Sequence, residues 1–478
     1  MNKDINLLES FEWLGEFWLA EAEDHSFPGV LSYSASGGLL LKVMRRDDFL
    51  SGDTDSVRTI YGITFETGPI TLLSALAKGD GATRVSENPV RAQEFFIDSA
   101  LLGEHLDSKT KFRSCQFELN NLAEFFHRQG FKLQDSYSSD PLLSGGHECL
   151  RASSHEGVTG FNVSVRKGST GVYLPRISDT LILDEIKDRE LITSLDEAVS
   201  KVMKEHLNTS MLAKKEICYG VCVETLGDVG ATFSELQSVM RETCGLFGLL
   251  FQNIVRPMTL SLTAMPQHTS EESSQTFHSI VSLHLTPRQI ERVEMAKDQS
   301  LLPVTADALK ENYPAVMKSW FDFVGSDFNI IYPTLATHIE DVTSSLQHYI
   351  LLIASIDQCC VFEKRGGRND RYQWFVETYA TDGLRKLFLK HLPSGSSIEE
   401  IGMHLGEIRN CIVHPVRLGT SAFGKYREIL KSHQLLNLSE VIYTILILYV
   451  YRAIGLSASA INDIERKLER LIPTYRNI

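Results

Sequence analysis

Two side chains near the end of the sequence, Arg409 and His414, together have the chemistry needed to cleave RNA without a metal ion. A histidine can accept a proton from an attacking hydroxyl or donate one to a leaving oxygen. An arginine can stabilise the negative charge that develops on phosphorus, through its N–H donors. Asn410 directly follows the arginine, and Pro415 directly follows the histidine. No other short segment of the sequence points as directly to catalysis.

The spacing of this pair does not by itself bring the two side chains together. Residues five positions apart are rotated by about 140° around an ideal helix, whereas Asn410 and His414, four positions apart, share a face. Pro415 disfavours helical geometry at His414, so we expect the helix to end there. Either the loosened last turn or a second copy of the chain would then complete the site. The alternative is a helix C-terminus that carries cations because the helix dipole favours them there.

Two further arginine–histidine pairs in the same region show that spacing alone is weak evidence. Arg385 precedes His391, and Arg427 precedes His433, each with five residues between them. A charged residue follows each of these two arginines, whereas a small polar asparagine follows Arg409. We interpret both pairs as charged faces of amphipathic helices.

A basic segment upstream of the catalytic pair is a second candidate for RNA contact. An aromatic residue, Tyr372, ends this segment, and cations beside an aromatic ring are typical of single-strand binding. The alternative is a solvated loop between two helices. Arg417, just beyond the pair, would add positive charge close to it. The candidate RNA-binding residues are therefore Lys364, Arg365, Arg368, Arg371 and Arg417.

The composition indicates a soluble protein of more than one domain. A chain of 478 residues exceeds one ordinary core, so two or three domains are expected. The net charge of −14 argues against broad, non-specific nucleic-acid binding across the surface. A local basic patch at an RNA site stays compatible with this charge.

Cysteine usage and hydropathy favour a cytoplasmic protein without membrane segments. The eight cysteines form no CxxC pair and no disulfide framework, so reduced thiols are the simplest interpretation. Cys218 and Cys222 would face the same side of a strand, as core residues rather than metal ligands, and we predict no metal and no cofactor. No apolar signal segment follows the first residues. The longest apolar run, 441–451, is far shorter than the roughly 20 residues of a membrane span and predicts a buried helix.

The pattern along the chain predicts a strand-rich α+β region at 1–300, with a possible sub-boundary near 155, and an all-helical region at 305–478. Predicted strands lie at 29–33, 38–43, 59–65, 160–165, 180–183, 216–225 and 259–263. Predicted helices lie at 119–128, 232–252, 306–323, 335–362, 375–391, 398–413, 437–456 and 460–471. Asn437 and Glu440 resemble a capping box. Residues 266–274 are predicted to form an exposed loop, and 288–303 a polar connection.

The catalytic pair and several N-terminal segments resemble known families. The pattern Arg409-Asn410-x-x-x-His414-Pro415, late in a helical region, resembles the motif of the HEPN ribonuclease superfamily. Segments near the N-terminus are similar to the N-terminal domain of ApeA-type anti-phage proteins: 11–18, 27–33, 62–64, 68–73 and 100–106. Together the two resemblances extend over nearly the whole chain.

The resemblance implies a helical HEPN bundle at 305–478 and an ApeA-like sensor and regulatory region at 1–300. It implies a metal-independent endoribonuclease of the abortive-infection type, in which Arg409 and His414 are catalytic and Asn410 supports them. Such proteins act as homodimers in which two motifs meet, so a homodimer or higher homo-oligomer through the helical domain is expected. Their substrate is RNA, with tRNA as one candidate. The N-terminal region would restrain the nuclease until a phage-derived trigger is present.

Two other functions stay open from the sequence alone. Some HEPN-like helical domains bind nucleotides or partner proteins without cutting RNA. In a sensor or scaffold, the strand-rich region would carry the essential function instead. The intact set of Arg409, Asn410 and His414 favours the ribonuclease.

Overall fold

The computed structural model describes the chain in segments. The described residues are 5–45, 57–84, 89–107, 109–126, 147–153, 161–174, 194, 197–198, 201, 212–227, 229–265, 275–294, 302–304, 306–309, 312–326, 329–340, 345–364, 370–414, 416, 421–431 and 434–471. Thirteen strands lie within these segments: β1 Phe11–Leu19, β2 Phe27–Ser34, β3 Gly38–Arg45, β4 Arg58–Thr64, β5 Gly68–Arg84, β6 Pro89–Ile97, β7 Ser99–Leu102, β8 Phe112–Leu119, β9 His147–Ser153, β10 Phe161–Leu174, β11 Leu212–Thr225, β12 Pro257–Ala264 and β13 Thr276–Val281.

The first six strands close into an antiparallel barrel. Their order is β4-β1-β2-β3-β6-β5, and an additional pairing between β4 and β5 closes the ring. Closure is possible because β5 is long: its first half pairs with β4 and its second half with β6. The ring of Phe17 fills the interior, where a Cβ added to Gly62 would lie 2.4 Å from it. A small barrel with a filled interior is a packed core rather than a channel.

A second antiparallel sheet continues from the barrel. Only Asp98 separates β6 from β7, and both strands pair with β5. On its other side β7 pairs with β13, and the order then runs β13-β12-β8-β11-β10-β9. The predicted strands therefore match β2, β3, β4, β10, β11 and β12, whereas 180–183 lies outside the described residues. Cys222 on β11 is buried, as predicted.

Helix α2, Phe233–Phe251, lies between β11 and β12 along the chain, within the strand-rich region. The Thr232 hydroxyl accepts a hydrogen bond from the Glu235 amide at 3.3 Å, and the Glu235 carboxylate accepts one from the Thr232 amide at 2.7 Å. This capping box confirms the predicted helix start. Gln252, with a φ of +52°, ends the helix in the left-handed conformation.

Eleven further helices lie in the described residues, and from Tyr313 onward they form a predominantly helical C-terminal region, which confirms the predicted order of a strand-rich part followed by a helical part. Their bounds are α1 Leu122–Phe126, α3 Pro287–Glu294, α4 Tyr313–Val324, α5 Ile331–Glu340, α6 Ser345–Phe362, α7 Arg371–Tyr379, α8 Asp382–His391, α9 Ile401–Val413, α10 Arg427–Lys431, α11 Gln434–Ala453 and α12 Ala458–Leu471. Helix α11 is central and packs against α6 and α8.

Two helices of the described residues, α6 and α11, are long and apolar enough to cross a membrane by length and composition. In α11, 78% of the apolar window is buried inside the protein. The core helix of a soluble protein passes the same test, so these helices are weak evidence for a membrane. Every residue of 441–451 is buried, and the predicted core helix is therefore confirmed.

Two of the predicted helices are wrong in that each is divided. The predicted helix at 375–391 breaks because Ala380 is extended and the Thr381 hydroxyl caps α8, accepting the Leu384 amide at 3.2 Å. The predicted helix at 335–362 is likewise two helices, α5 and α6. Side chains of α3 satisfy the C-terminal carbonyls of α5: Arg292 donates to the Ile339 carbonyl at 2.6 Å.

Three other predicted boundaries also differ from the structure. Helix α11 begins at Gln434, so Asn437 lies inside its first turn and the predicted capping box is wrong. The predicted polar connection at 288–303 contains most of α3, because Thr286 and Gln289 exchange the two hydrogen bonds of a capping box. The predicted helix at 306–323 begins only at Tyr313, after a short 3₁₀ turn at 306–308. The predicted loop at 266–274 lies outside the described residues.

Two histidines meet where α5, α6 and α11 pack together. His338 Nδ1 lies 2.7 Å from His348 Nε2, and His338 Nε2 lies 3.4 Å from the Glu440 carboxylate. Burial lowers the pKa of His348 to about 4; the adjacent His338 lowers it as well, and Glu440 opposes the shift. His348 is therefore neutral in the folded protein at neutral pH.

We expect the protein to lose stability as the pH falls from about 6.5 to about 4. The unfolded His348 ring takes up a proton near pH 6.5, whereas the folded ring does so only near pH 4. Acid therefore favours the unfolded state across this window, by on the order of 2–3 kcal/mol. Urea unfolding of His348→Gln should show a flatter pH dependence than wild type. The free energy of unfolding of the control His25→Gln should depend on pH as it does in wild type. If that of His348→Gln depends on pH just as steeply, His348 is not the cause of the pH dependence.

Candidate active site

Helix α9 positions the three residues predicted to be catalytic. Its apolar face, which includes Ile401, Leu405 and Ile408, is buried in the core. The hydroxyl of Tyr349 on α6 donates to the Leu405 carbonyl at 3.0 Å and ties the two helices together. Helix α9 ends at Val413 with His414 as its C-cap, so the predicted helix end is confirmed.

Asn410 is bonded to both members of the predicted pair. Its side-chain Oδ1 accepts a hydrogen bond from Arg409 Nη1 at 3.2 Å. Its carbonyl accepts the backbone N–H of His414 at 2.8 Å. The backbone of His414 has left helical geometry, with φ −126° and ψ 74°, and its side chain is exposed. Asn410 therefore orients the guanidinium and fixes the turn from which the imidazole projects.

A tyrosine from another helix lies in the electrostatic environment of Arg409 and is hydrogen-bonded to an aspartate from a third helix. Burial is the main cause that raises the pKa of Tyr372 to about 12; the charge of Asp357 acts in the same direction, and the charge of Arg409 opposes both effects. Tyr372 donates to Asp357 Oδ2 at 3.2 Å, and Arg371 Nη1 lies 3.5 Å from Asp357 Oδ1. The Asp357 carboxylate is thus engaged by two residues of α7.

The guanidinium of Arg409 has no carboxylate within 4 Å among the described residues. It is half-buried, and its position is set by Asn410 rather than by an ion pair. An arginine held in this way can bind a phosphate without first breaking a salt bridge.

One of the two other arginine–histidine pairs has a structural role. Arg385 lies 3.3 Å from the Asp382 carboxylate and donates to the Glu377 carbonyl at 2.6 Å. The histidine of this sequence pair, His391, is only 7% exposed, so it does not lie on a charged helix face as predicted. Arg427 begins α10, whereas His433 lies outside the described residues.

The structure describes two of the five predicted RNA-binding residues. Lys364 is exposed just beyond the end of α6, with a φ of +52°. Arg371 is paired with Asp357 and lies in the same electrostatic environment as Arg409. Arg365, Arg368 and Arg417 lie outside the described residues, as does Pro415.

Sequence reasoning missed Asp357 and Glu407 as neighbours of the predicted site. Glu407 lies three and seven residues before Asn410 and His414, on the same helix face, and its Oε2 is buried without a hydrogen-bond partner. That spacing was visible in the sequence. The role of Asp357 was not, because about fifty residues separate it from Arg409 along the chain.

A further histidine on α9 belongs to the scaffold of the site. His404 is buried, with Nδ1 2.8 Å from the Tyr426 hydroxyl and Nε2 2.8 Å from the Ser396 hydroxyl. Burial lowers its pKa, and the Lys425 charge lowers it as well. His404 therefore anchors the segment 421–426 and the turn before α9. Among the described residues, no group of three or more His, Cys, Asp or Glu is arranged to hold a metal ion.

The N-terminal part of the chain is similar to a known family. Residues 12–150 match the family described as ApeA N-terminal domain 1. The matched range contains nearly all of the barrel, together with β7, β8 and the start of β9. The match supports an ApeA-type protein and so points to anti-phage defence. No curated protein and no solved structure gives a significant match.

Proposed function

We propose that this chain is an anti-phage defence protein of the abortive-infection type whose helical region is a metal-independent HEPN endoribonuclease. The observation that carries the proposal is the arrangement around Asn410. This residue orients a guanidinium without a carboxylate partner and holds the backbone of an exposed histidine. The similarity of residues 12–150 to an ApeA domain supports the defence role.

In the proposed reaction, the 2′-hydroxyl of a ribose attacks the adjacent phosphate and the bond from phosphorus to the 5′-oxygen breaks. His414 accepts the hydroxyl proton or donates a proton to the leaving 5′-oxygen. Arg409 stabilises the charge on the non-bridging phosphate oxygens with paired N–H donors. Asn410 keeps the guanidinium in position. The products carry a 2′,3′-cyclic phosphate and a 5′-hydroxyl.

A second copy of the chain completes this proposed site. Arg409 and His414 are five positions apart, which corresponds to a rotation of about 140° on an ideal helix, so the end of one α9 offers them in different directions. The side chains next to the histidine are apolar and exposed: Val413 is 44% exposed and Val416 is 90% exposed. Apolar side chains on the surface beside the imidazole suit a homodimer in which the two α9 ends meet.

Digestion of RNA by the purified full-length protein in excess EDTA tests the reaction. We expect cleavage to persist, because proton transfer and charge stabilisation come from His414 and Arg409. The new ends should be cyclic phosphates, which resist ligation until they are opened by a cyclic phosphodiesterase. Activity that disappears with EDTA and returns with Mg²⁺ would contradict a metal-independent mechanism. A protein that binds RNA or a nucleotide but never cuts would favour a non-catalytic binding module.

The N-terminal region is proposed to restrain the nuclease until a phage component is present. An unrestrained ribonuclease would damage the RNA of its own host, including tRNA, which is the proposed substrate. Mapping of RNA ends in cells that produce the wild-type protein should therefore show new cleavage only after phage infection. Cells that produce His414→Ala supply the background. Equal cleavage before and after infection would argue against this restraint.

A further inference from the structure

A cavity of about 360 Å³ lies between the strand-rich region and the helical region. Arg241, Cys244 and Gly248 line it from α2, at the spacing of one helix face. Tyr332 and Ala336 line it from α5. This volume lies in the range of pockets that hold small molecules. The cavity contains no residue of the candidate active site.

Asn253 lines this cavity, and its buried side-chain amide carries a donor and an acceptor that are both unpaired. Its side chain is 0% exposed, and neither its Nδ2 nor its Oδ1 has a hydrogen-bond partner. Asn120, which is also buried nearby, has the usual arrangement: Nδ2 donates to the Ile254 carbonyl at 2.7 Å and Oδ1 accepts the Arg256 amide at 2.9 Å. A buried amide without partners is costly unless a ligand or a water pairs with it.

A cation lies at the outer part of the same cavity. Arg241 is exposed and, among the described residues, has no carboxylate within 4 Å. The second cation of the cavity, Arg256, is already paired with Glu340. The backbone N–H of Asn253 donates to the Gly248 carbonyl, so Asn253 lies beside a residue seven positions from Arg241 along α2. This separation corresponds to about 10 Å along the helix axis.

Between these two polar ends the walls are largely apolar. They include Met240, Leu249, Ile254, Val281 and Ile339, together with the ring of Tyr332. Such walls suit a flat, uncharged ring system rather than a second charge. A fatty acid would supply the anion but would leave the Asn253 amide unpaired.

We infer that this cavity binds a nucleotide, with the edge of its base paired to the Asn253 amide and its phosphate paired to Arg241. A base edge presents a donor and an acceptor side by side, as the amide requires. A phosphate accepts the paired N–H donors of a guanidinium. The ribose lies between the two polar ends. The assignment is independent of the proposed ribonuclease, because the two sites share no residue.

Calorimetric titration of the purified full-length protein with each of the four ribonucleoside 5′-monophosphates tests this inference. At least one of them is expected to bind. Asn253→Leu and Arg241→Ala should each weaken that binding about tenfold or more. Arg113→Ala, which changes an exposed arginine on β8 outside the cavity, should leave it unchanged.

Thermal melting without ligand supplies a matched comparison for the unpaired amide. Asn253→Leu should melt at or above the wild-type temperature because it removes a group without partners. Asn120→Leu should melt lower because it breaks two hydrogen bonds. The inference is overturned if none of the four nucleotides binds, or if Asn253→Leu binds as tightly as wild type. It is also overturned if binding is lost in His414→Ala but kept in Asn253→Leu, which would assign the nucleotide to the candidate ribonuclease site.

Discussion

Replacement of His414 by alanine is expected to reduce RNA cleavage about a thousandfold, the scale of lost general acid–base catalysis. The imidazole is the proposed proton-transfer group, and no other histidine of the described residues lies on the exposed end of α9. Single-turnover cleavage of RNA by the purified protein in excess EDTA measures the loss. Growth of cells that overproduce the protein gives a second readout, because loss of cleavage should relieve toxicity.

The exposure of His414 makes this result easy to interpret. Its side chain contributes little to packing, so the variant should unfold at the same urea concentration as wild type. His25→Ala, which removes another exposed histidine in the strand-rich region, is the matched control and should keep full activity. A His414→Ala protein that still cleaves RNA at the wild-type rate would remove this residue from the mechanism.

Local signals in the sequence predicted those elements whose boundaries depend on nearby residues. The predicted start of α2 coincides with the Thr232–Glu235 capping box, and α9 ends at His414 as Pro415 predicts. The break between α7 and α8 had a comparable signal, since Thr381 directly precedes Asp382 and caps the next helix. The continuous apolar pattern across 375–391 predicts one helix and conceals this cap.

Features that depend on distant residues could not be predicted in the same way. The barrel closes because the two halves of β5 pair with different strands, and hydrophobic alternation within β5 does not specify those partners. The environment of Arg409 likewise includes Tyr372, which another helix brings into range together with its hydrogen-bond partner Asp357. The sequence therefore identifies the catalytic candidates but not the tyrosine that lies near Arg409 in the fold.

The close packing of α9 on α7 depends on one glycine. A Cβ added to Gly402 would lie 2.2 Å from the backbone nitrogen of Gln373, a distance that no side-chain rotation can relieve. The Gly402 amide N–H is one of the donors left unpaired at a helix start, and it donates to Gln373 Oε1 at 2.8 Å. Helix α7 also carries Arg371 and Tyr372, so this contact sets the distance between those residues and Arg409.

Substitution of Gly402 by alanine is therefore expected to lower the free energy of unfolding by about 3 kcal/mol and to reduce RNA cleavage. Gly406, one helical turn later, is the matched control, because its added Cβ would lie 3.4 Å from the Tyr372 ring in ordinary van der Waals contact. Gly406→Ala should raise stability by up to about 1 kcal/mol through its better helix propensity. Urea unfolding and cleavage assays on both variants measure these effects. Equal stability of the two proteins would mean that α9 can move away from α7 at little cost, and that the distance between these helices does not control the position of Arg409.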